Sequence, residues 1–282
     1  MYTIKQALAS AQQQLAKLPD ASAKLEAEVL LAFTLDKPRA YLYAWPEQQL
    51  DPQQQNEFEF AVKRRSSGEP VAYITETREF WGLPLKVSPA TLIPRPETER
   101  LVEIALQYIP ENKPCKVADL GTGSGALALA IASERPLSEI IATDISTSAL
   151  AVAKQNQQSL NLKNISFVQS RWFENLNNEQ FDIVVSNPPY VADNDPHLQQ
   201  GDLRFEPVQA LSSGSDGLRD IREIVSKAGE FLKPEGWLLI EHGFDQGDKV
   251  IELFQQHGFQ HINCYQDYGQ RERATIGQLT ST

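Results

Sequence analysis

Val117-Ala118-Asp119-Leu120-Gly121-Thr122-Gly123-Ser124-Gly125-Ala126 is the stretch that decides the fold. Its first four residues finish a short apolar run. Three glycines in the next five permit a sharp turn and a close approach of backbone to a ligand. An alanine- and leucine-rich helical pattern, Ala126–Glu134, follows at once. Strand, glycine turn and helix in that order open a β-α-β unit, with the ligand expected at the helix N-terminus. The dinucleotide fingerprint would place its third glycine at position 126, which is Ala126. Gly-x-Gly-x-Gly spacing fits a nucleoside-bearing ligand without a pyrophosphate better.

Outward from this unit, strand-like and helical runs alternate. Strands are expected at Lys116–Leu120, Glu139–Asp144, 165–168, Phe181–Ser186, 237–241, 262–265 and 273–277. Helical periodicity fills Ala126–Glu134, 147–157, 221–232 and 247–257. The alternation predicts an α/β architecture with a mostly parallel, seven-stranded sheet covered on both faces. The last two strands have no helix between them and should form an antiparallel hairpin at the edge.

The first seventy residues have another character. Ile4, Ala7, Leu8, Ala11, Leu15 and Leu18 make one apolar helical stripe, and Pro19-Asp20 offers a stop and the next N-cap. Leu25, Val29, Ala32 and Phe33 repeat the pattern. Asp51-Pro52 starts a further helix carrying Phe58, Ala61, Val62 and Arg65, which Gly68 ends. Residues 1–70 thus read as a small helical bundle used for contact. Residues 71–93 read as a β-hairpin linker, with Val71-Ala72-Tyr73-Ile74 and Leu83–Val87 strand-like around Trp81-Gly82. Residues 94–282, with a helix opened by Pro96 and running to Tyr108, form the domain that carries the chemistry.

Composition limits the partners. Over 282 residues the formal net charge is −11, whereas a protein that neutralises many phosphates needs a basic face. Nucleic acid is therefore not expected as a direct partner. No apolar run approaches the ~18 residues of a membrane span. Met1–Gln6 lacks the pattern of a secretory signal, so no membrane contact and a cytoplasmic location are expected. The two cysteines, Cys115 and Cys264, form no Cys-x-x-Cys pair, and no metal site is expected.

Two loops carry the chemistry. Asp144 ends the strand after the glycine turn, 23 positions beyond Gly121, where a carboxylate can accept from both ribose hydroxyls. A loop with Asp119 and Asp144 is a poor cradle for phosphate but suits the cationic sulfonium and amino group of S-adenosylmethionine. The second loop, Asn187-Pro188-Pro189-Tyr190, follows a buried strand and should reach the same rim of the sheet. The Asn187 side-chain oxygen and the Pro188 carbonyl can each accept one N–H of a planar –NH₂ group. The prolines stiffen the loop, and Tyr190 offers a flat face for stacking. Two such acceptors hold an amide lone pair in line with a sulfonium methyl. Catalysis by orientation of this kind can supply up to ~7–11 kcal/mol and needs no general base before attack.

These loops together resemble the class I, S-adenosylmethionine-dependent amino-methyltransferases, which include adenine-N6 DNA and guanine-N2 ribosomal RNA enzymes. More specific are Arg78-Glu79-Phe80-Trp81-Gly82-Leu83-Pro84-Leu85, Thr91-Leu92-Ile93-Pro94-Arg95-Pro96-Glu97-Thr98-Glu99 and Gln200-Gly201-Asp202-Leu203-Arg204-Phe205-Glu206-Pro207. With these stretches nearly the whole chain is similar to the bacterial release-factor glutamine methyltransferase family. The resemblance implies a Rossmann-like methyltransferase domain behind a release-factor-binding bundle. It implies methylation of N5 of the glutamine in the Gly-Gly-Gln motif of class-one peptide chain release factors. By position, Gly121, Thr122, Gly123, Ser124, Gly125, Asp144 and Asn187 would bind the methyl donor, with Trp172 beside its adenine. Asn187, Pro188, Pro189 and Tyr190 would hold the substrate glutamine, with Asn187, Pro188 and Tyr190 catalytic. There is one departure: the position before Trp172 is often acidic in such enzymes and is Arg171 here, which has no acceptor.

Three other readings stay open on these residues: a glutamine methyltransferase of a large-subunit ribosomal protein, a nucleic-acid amino-methyltransferase, and a non-catalytic adaptor. His242, in Glu241-His242-Gly243 at a strand end, fits a neighbour-satisfied rim histidine better than a general base. Arg95 either contacts the donor or is merely solvated. The polar connection at 192–215 is long enough to be functional and is expected to close over the substrate tip.

Overall fold

A computed structural model describes residues 2–18 and 21–280. They form two compact units: the chain up to Thr77 together with Gln199–Phe205, and Arg78–Leu198 together with Glu206 onward. Among the described residues no helix is long and apolar enough to cross a membrane. No group of three or more His, Cys, Asp or Glu side chains there could hold a metal ion.

The first unit is helical: α1 (Ile4–Leu15), α2 (Ala23–Leu35), α3 (Arg39–Ala44), α4 (Pro52–Ser66) and α5 (Val71–Thr75). Capping boxes start α1 at Thr3 with Gln6 and α4 at Asp51 with Gln54, so two orphan N–H groups are satisfied at each end. The expected stripes of α1 and α4 meet in one core with Ile4, Leu15 and Phe58. Helix α2 turns another face inward than the one expected: Leu30, Leu31 and Leu35 are buried there, whereas Leu25 and Phe33 are exposed. Pro19 and Asp20, read as a stop and a cap, lie outside the described residues; the position before α2 is Ser22, whose side chain makes no capping bond.

The strand expected at 71–74 is a helix, α5. Pro70 fixes the first turn, its carbonyl accepting from the N–H groups of Tyr73 and Ile74. Tyr73, Ile74 and Thr75 are all buried, so tertiary packing overrides the β-preference of Val, Ile and Thr. The hairpin itself is present, as β1 (Thr77–Phe80) and β2 (Leu83–Lys86). Trp81 and Gly82 form its turn with φ of 54° and 70°, the doubly positive pattern of a type I′ connection. All but Thr77 of it belongs to the second unit, where Phe80 and Leu85 join the core.

In the second unit a 3₁₀ turn at Pro96–Thr98 leads into α6 (Glu99–Tyr108), followed by β3 (Lys116–Leu120), α7 (Ala126–Glu134) and β4 (Glu139–Asp144). Next come α8 (Thr147–Leu160), β5 (Ile165–Gln169), β6 (Phe181–Ser186), α9 (Arg219–Phe231) and β7 (Leu232–Glu241). The chain ends on α10 (Gly247–Gln256), β8 (Phe259–Gln266) and β9 (Glu272–Leu279). The sheet order is β5-β4-β3-β6-β7-β9-β8, with the first five strands parallel. Strand β9 inserts antiparallel between β7 and β8. Leu120, Val184, Leu238 and Leu239 are fully buried, as a sheet covered on both faces requires.

Candidate active site

The chain leaves β3 for one half of the sheet and β6 for the other, so the boundary between them is a topological switch point. In open α/β sheets the crevice for a ligand opens there, beyond the carboxyl ends of the strands. Register fixes the juxtaposition: Leu120 pairs with Ser186, and Ser186 Oγ donates to the Leu120 carbonyl at 2.7 Å. The next residues, Gly121 and Asn187, therefore leave the sheet side by side.

The glycine turn adopts φ of 75° at Gly121, 57° at Gly123 and 87° at Gly125. The N–H groups of Gly121 and Thr122 donate to the Thr143 carbonyl at 2.9 and 2.8 Å. Asn156 holds the turn from below, donating to the Ser124 carbonyl at 2.9 Å. A Cβ on Gly121 would stand 3.1 Å from the Trp172 ring, and one on Gly125 would stand 2.9 Å from Leu129. The sequence demands glycine here for both conformation and space.

Two carboxyls frame the turn. Burial pushes Asp119 up to about 7, against hydrogen bonds from the Thr122 hydroxyl at 2.6 Å and the Ala128 N–H. Asp144 is also raised by burial, and the N–H groups of Ser146 and Gly123 counter it at 2.8 and 2.9 Å. With the Ile145 N–H as a third donor, the Asp144 carboxylate still keeps acceptor capacity.

A cavity of about 480 Å³ opens over the switch point. Gly121, Gly123, Asp144 and Trp172 line one side, and Asn187 and Pro189 another. Trp172 is buried in a left-handed conformation, φ 49°, and its Nε1 has no hydrogen-bond partner. Arg171 turns to α9, its guanidinium 2.5 Å from Glu223 and 3.9 Å from Asp220 Oδ1. Asp220 lines the same cavity; its Oδ2 accepts from Ser213 and Arg219 at 2.7 and 2.8 Å. An acidic side chain from α9 thus stands beside the position where the sequence has arginine.

In the second loop, Asn187 Nδ2 donates to Thr98 Oγ1 at 3.1 Å. Tyr190 OH donates to Glu241 Oε1 at 3.3 Å, and Pro188 is buried. Glu241 is buried, its Oε2 makes no hydrogen bond, and burial pushes it up to about 7. Arg95 is part-exposed and, although absent from the lining of the larger cavity, lines the smaller recess with Thr98, Gly121 and Asn187. Its guanidinium lies 2.5 Å from the buried Glu206, within the Gln200–Pro207 stretch. His242 is fully buried, with Nδ1 2.9 Å from the Gly243 carbonyl and Nε2 2.9 Å from Thr275 Oγ1. Burial lowers its pKa, and both ring nitrogens are occupied away from the cavity.

The structure gathers most of the residues singled out from the sequence. Thr122 and Ser124 line a recess of about 60 Å³ with Asp119 and Asn187, which shares Gly121, Gly123 and Asn187 with the lining of the larger cavity. Gly125, Pro188 and Tyr190 line neither, and Tyr190 packs on the apolar core beneath the rim. Sequence reasoning missed Asp220, and it placed Glu241 at the rim and Thr98 in a resemblance stretch without giving either a part in the site. Each sits on an element remote in the chain, and spacing carries no sign of such contacts.

The chain matches two family models: the PrmC N-terminal domain over residues 6–75 and the methyltransferase small domain over residues 100–204. A methyltransferase from Pyrococcus furiosus superposes with a TM-score of 0.55 at 16% identity, covering 78% of this chain and 98% of that one. The catalytic domain of human Mettl16 gives 0.59 at 15%, covering 78% and 82%. The fold and the two loops at its switch point define a Rossmann-like methyltransferase. The release factor glutamine methyltransferase of Escherichia coli K12 is 48% identical over 91% of this chain and 92% of its own. That of Vibrio cholerae is 47% identical over 98% and 96%. This chain belongs to the release factor glutamine methyltransferase family.

Proposed function

We propose that the protein transfers the methyl group of S-adenosyl-L-methionine to N5 of the glutamine in the Gly-Gly-Gln motif of class-one peptide chain release factors. The observation that carries this is the shared cavity, where the glycine turn with Asp144 and Trp172 meets Asn187 and Pro189. The residues present suit the donor. Asp144 retains acceptor capacity for ribose hydroxyls, and the indole of Trp172 lies over the bare Cα of Gly121. The donor supplies an electrophilic methyl carbon; the rest falls to the chain. Asn187, its Nδ2 committed to Thr98, offers Oδ1 to an amide N–H of the substrate. The glutamine nitrogen bonds to the methyl carbon as the carbon–sulfur bond breaks, and its proton leaves afterwards. Holding that lone pair in line is orientation, and the stiff Asn187–Tyr190 turn suits it. Tyr190, half-buried, is tied at its hydroxyl to Glu241 and so braces the end of the loop.

Labelled methyl transfer to purified release factor, compared with a Gln-to-Ala version of its Gly-Gly-Gln tip, tests the proposal. We expect label on the glutamine form alone; equal labelling of both refutes it. A large-subunit ribosomal protein offered in parallel should stay unlabelled. Asn187→Ala should lower turnover by roughly 100-fold or more, the scale expected when a reacting group loses its alignment.

A further inference from the structure

The amide of Asn187 has two ends of opposite hydrogen-bonding character. Which end meets the cavity decides whether it can take an N–H from an incoming carboxamide. In the structure Nδ2 donates to Thr98 Oγ1 at 3.1 Å. A hydroxyl that accepts at this position must place its own single proton elsewhere. Thr98, on the 3₁₀ turn before α6, is 5% exposed, so that proton has no ready outlet to water. Beside it lies the carboxyl of Glu241, 1% exposed, at the end of β7. Tyr190 OH donates to one Glu241 oxygen, and the other is buried without a hydrogen bond. A buried carboxylate oxygen left open costs free energy unless the protein uses it.

We propose that Glu241 is a positioning residue for the transfer: acting through Thr98, it fixes the Asn187 amide with Oδ1 toward the substrate. This rests on the reading above, in which Asn187 holds the substrate glutamine. An ionised Glu241 only accepts. Its open oxygen, which forms no hydrogen bond in this structure, is the acceptor toward which the Thr98 proton would turn, leaving the Thr98 lone pair for Asn187 Nδ2. A protonated Glu241 can donate to Thr98 instead. The Thr98 proton then satisfies Asn187 only if the amide turns over, which sets an NH₂ group against the NH₂ group of the substrate. The same carboxylate holds Tyr190, so both ends of the Asn187–Tyr190 turn answer to one buried acid.

The groups facing Glu241 are Thr98 and Glu97 from the 3₁₀ turn, Tyr190 from the substrate loop and Arg273 from β9. Burial raises Glu241 to about 7; Thr98, Arg273 and Tyr190 pull it down, and Glu97 pushes it up. Tyr190 is held above its usual range by burial and by Glu241, and Arg273 is raised, so both keep their protons near neutral pH. The productive amide should therefore be lost as pH falls through the Glu241 ionisation.

The test follows methyl transfer from S-adenosylmethionine to a purified class-one release factor, with its Gln-to-Ala form as control. Discrimination between the two acceptors by the unaltered protein judges the substrate reading; the variants judge Glu241. Glu241→Gln should lower kcat on the order of 10–100-fold, the cost of a misaimed contact. Its KM for the donor should be unchanged, and the wild-type rise of kcat through neutral pH should flatten. Thr98→Val should lose rate similarly, and Thr98→Ser, which keeps the hydroxyl, should recover most of it. Wild-type kcat in Glu241→Gln overturns the proposal. So does a Thr98→Ser variant as slow as Thr98→Val, which would mark Thr98 as a packing residue. The Thr98 pair decides the matter by itself if Glu241→Gln does not fold.

Discussion

Gly121 shows how one missing side chain serves two demands. Its φ of 75° is left-handed, and its Cα faces the Trp172 ring so closely that a Cβ would stand 3.1 Å away. Gly121→Ala must bear about 1–2 kcal/mol of backbone strain and also displace the indole that lines the cavity. We expect a lower melting temperature and roughly tenfold weaker S-adenosylmethionine binding by calorimetric titration. Unchanged affinity would mean that Trp172 does not help to hold the donor. The glycine was legible in sequence because its turn is local. The indole against it was reached only through the family resemblance, because Trp172 meets the turn through the pairing of β4 with β5 and no local pattern announces it.

At the scale of elements, Arg65 is the instructive case. It falls on the apolar stripe of α4, and the structure buries it to 8% exposure. Glu26 on α2 satisfies it at 2.8 and 3.2 Å, with the Gly68 and Glu69 carbonyls at 3.3 and 3.2 Å and Asp202 at 3.2 Å. Arg204 donates to the Ser67 carbonyl at 3.0 Å, so Gln199–Phe205 belongs to the helical unit although it follows the substrate loop in sequence. The long connection expected at 192–215 is three 3₁₀ turns, tied back where Val191 and Ser213 exchange backbone bonds with Leu211 and Val191. Arg65→Ala strands the largely buried Glu26 carboxylate and should cost about 3 kcal/mol in denaturant unfolding. Amide exchange at 199–205 should quicken in the same variant. Protection there equal to wild type would show that Arg65 does not anchor the segment.

Across the whole molecule, two fully buried carboxyls set the pH response of stability. Asp119 and Glu241 are each raised by burial to about 7, above their unfolded values of 3.8 and 4.5. Between those limits the folded state binds more protons than the unfolded one, so the unfolding free energy falls as pH rises. Their contribution is fully present below about pH 4 and is lost as pH passes 7. Stability should drop by on the order of 2–4 kcal/mol between pH 5 and 8, read by urea unfolding at fixed ionic strength. Asp119→Asn should flatten part of that slope, and an unaltered slope would remove Asp119 from the account. Stability given up in this way at the rim is consistent with a site shaped for chemistry.

Sequence by itself determined the parallel sheet, the glycine turn and the Asn187–Tyr190 turn, because each is written in consecutive residues whose periodicity or backbone demand is local. The membership of the family was equally legible, carried by motifs spread along the chain. Tertiary structure alone decided that residues 71–74 are helical, since burial of Tyr73 and Ile74 outweighed the strand preference of the run. It alone set Asp220 beside Arg171, Glu206 against Arg95, and Glu241 under Tyr190 with Thr98 alongside. These partners come from elements far apart in the chain, and only strand register and helix packing bring them within reach. Charges and hydroxyls carry no periodicity that announces a partner, so their pairing waits on the folded geometry.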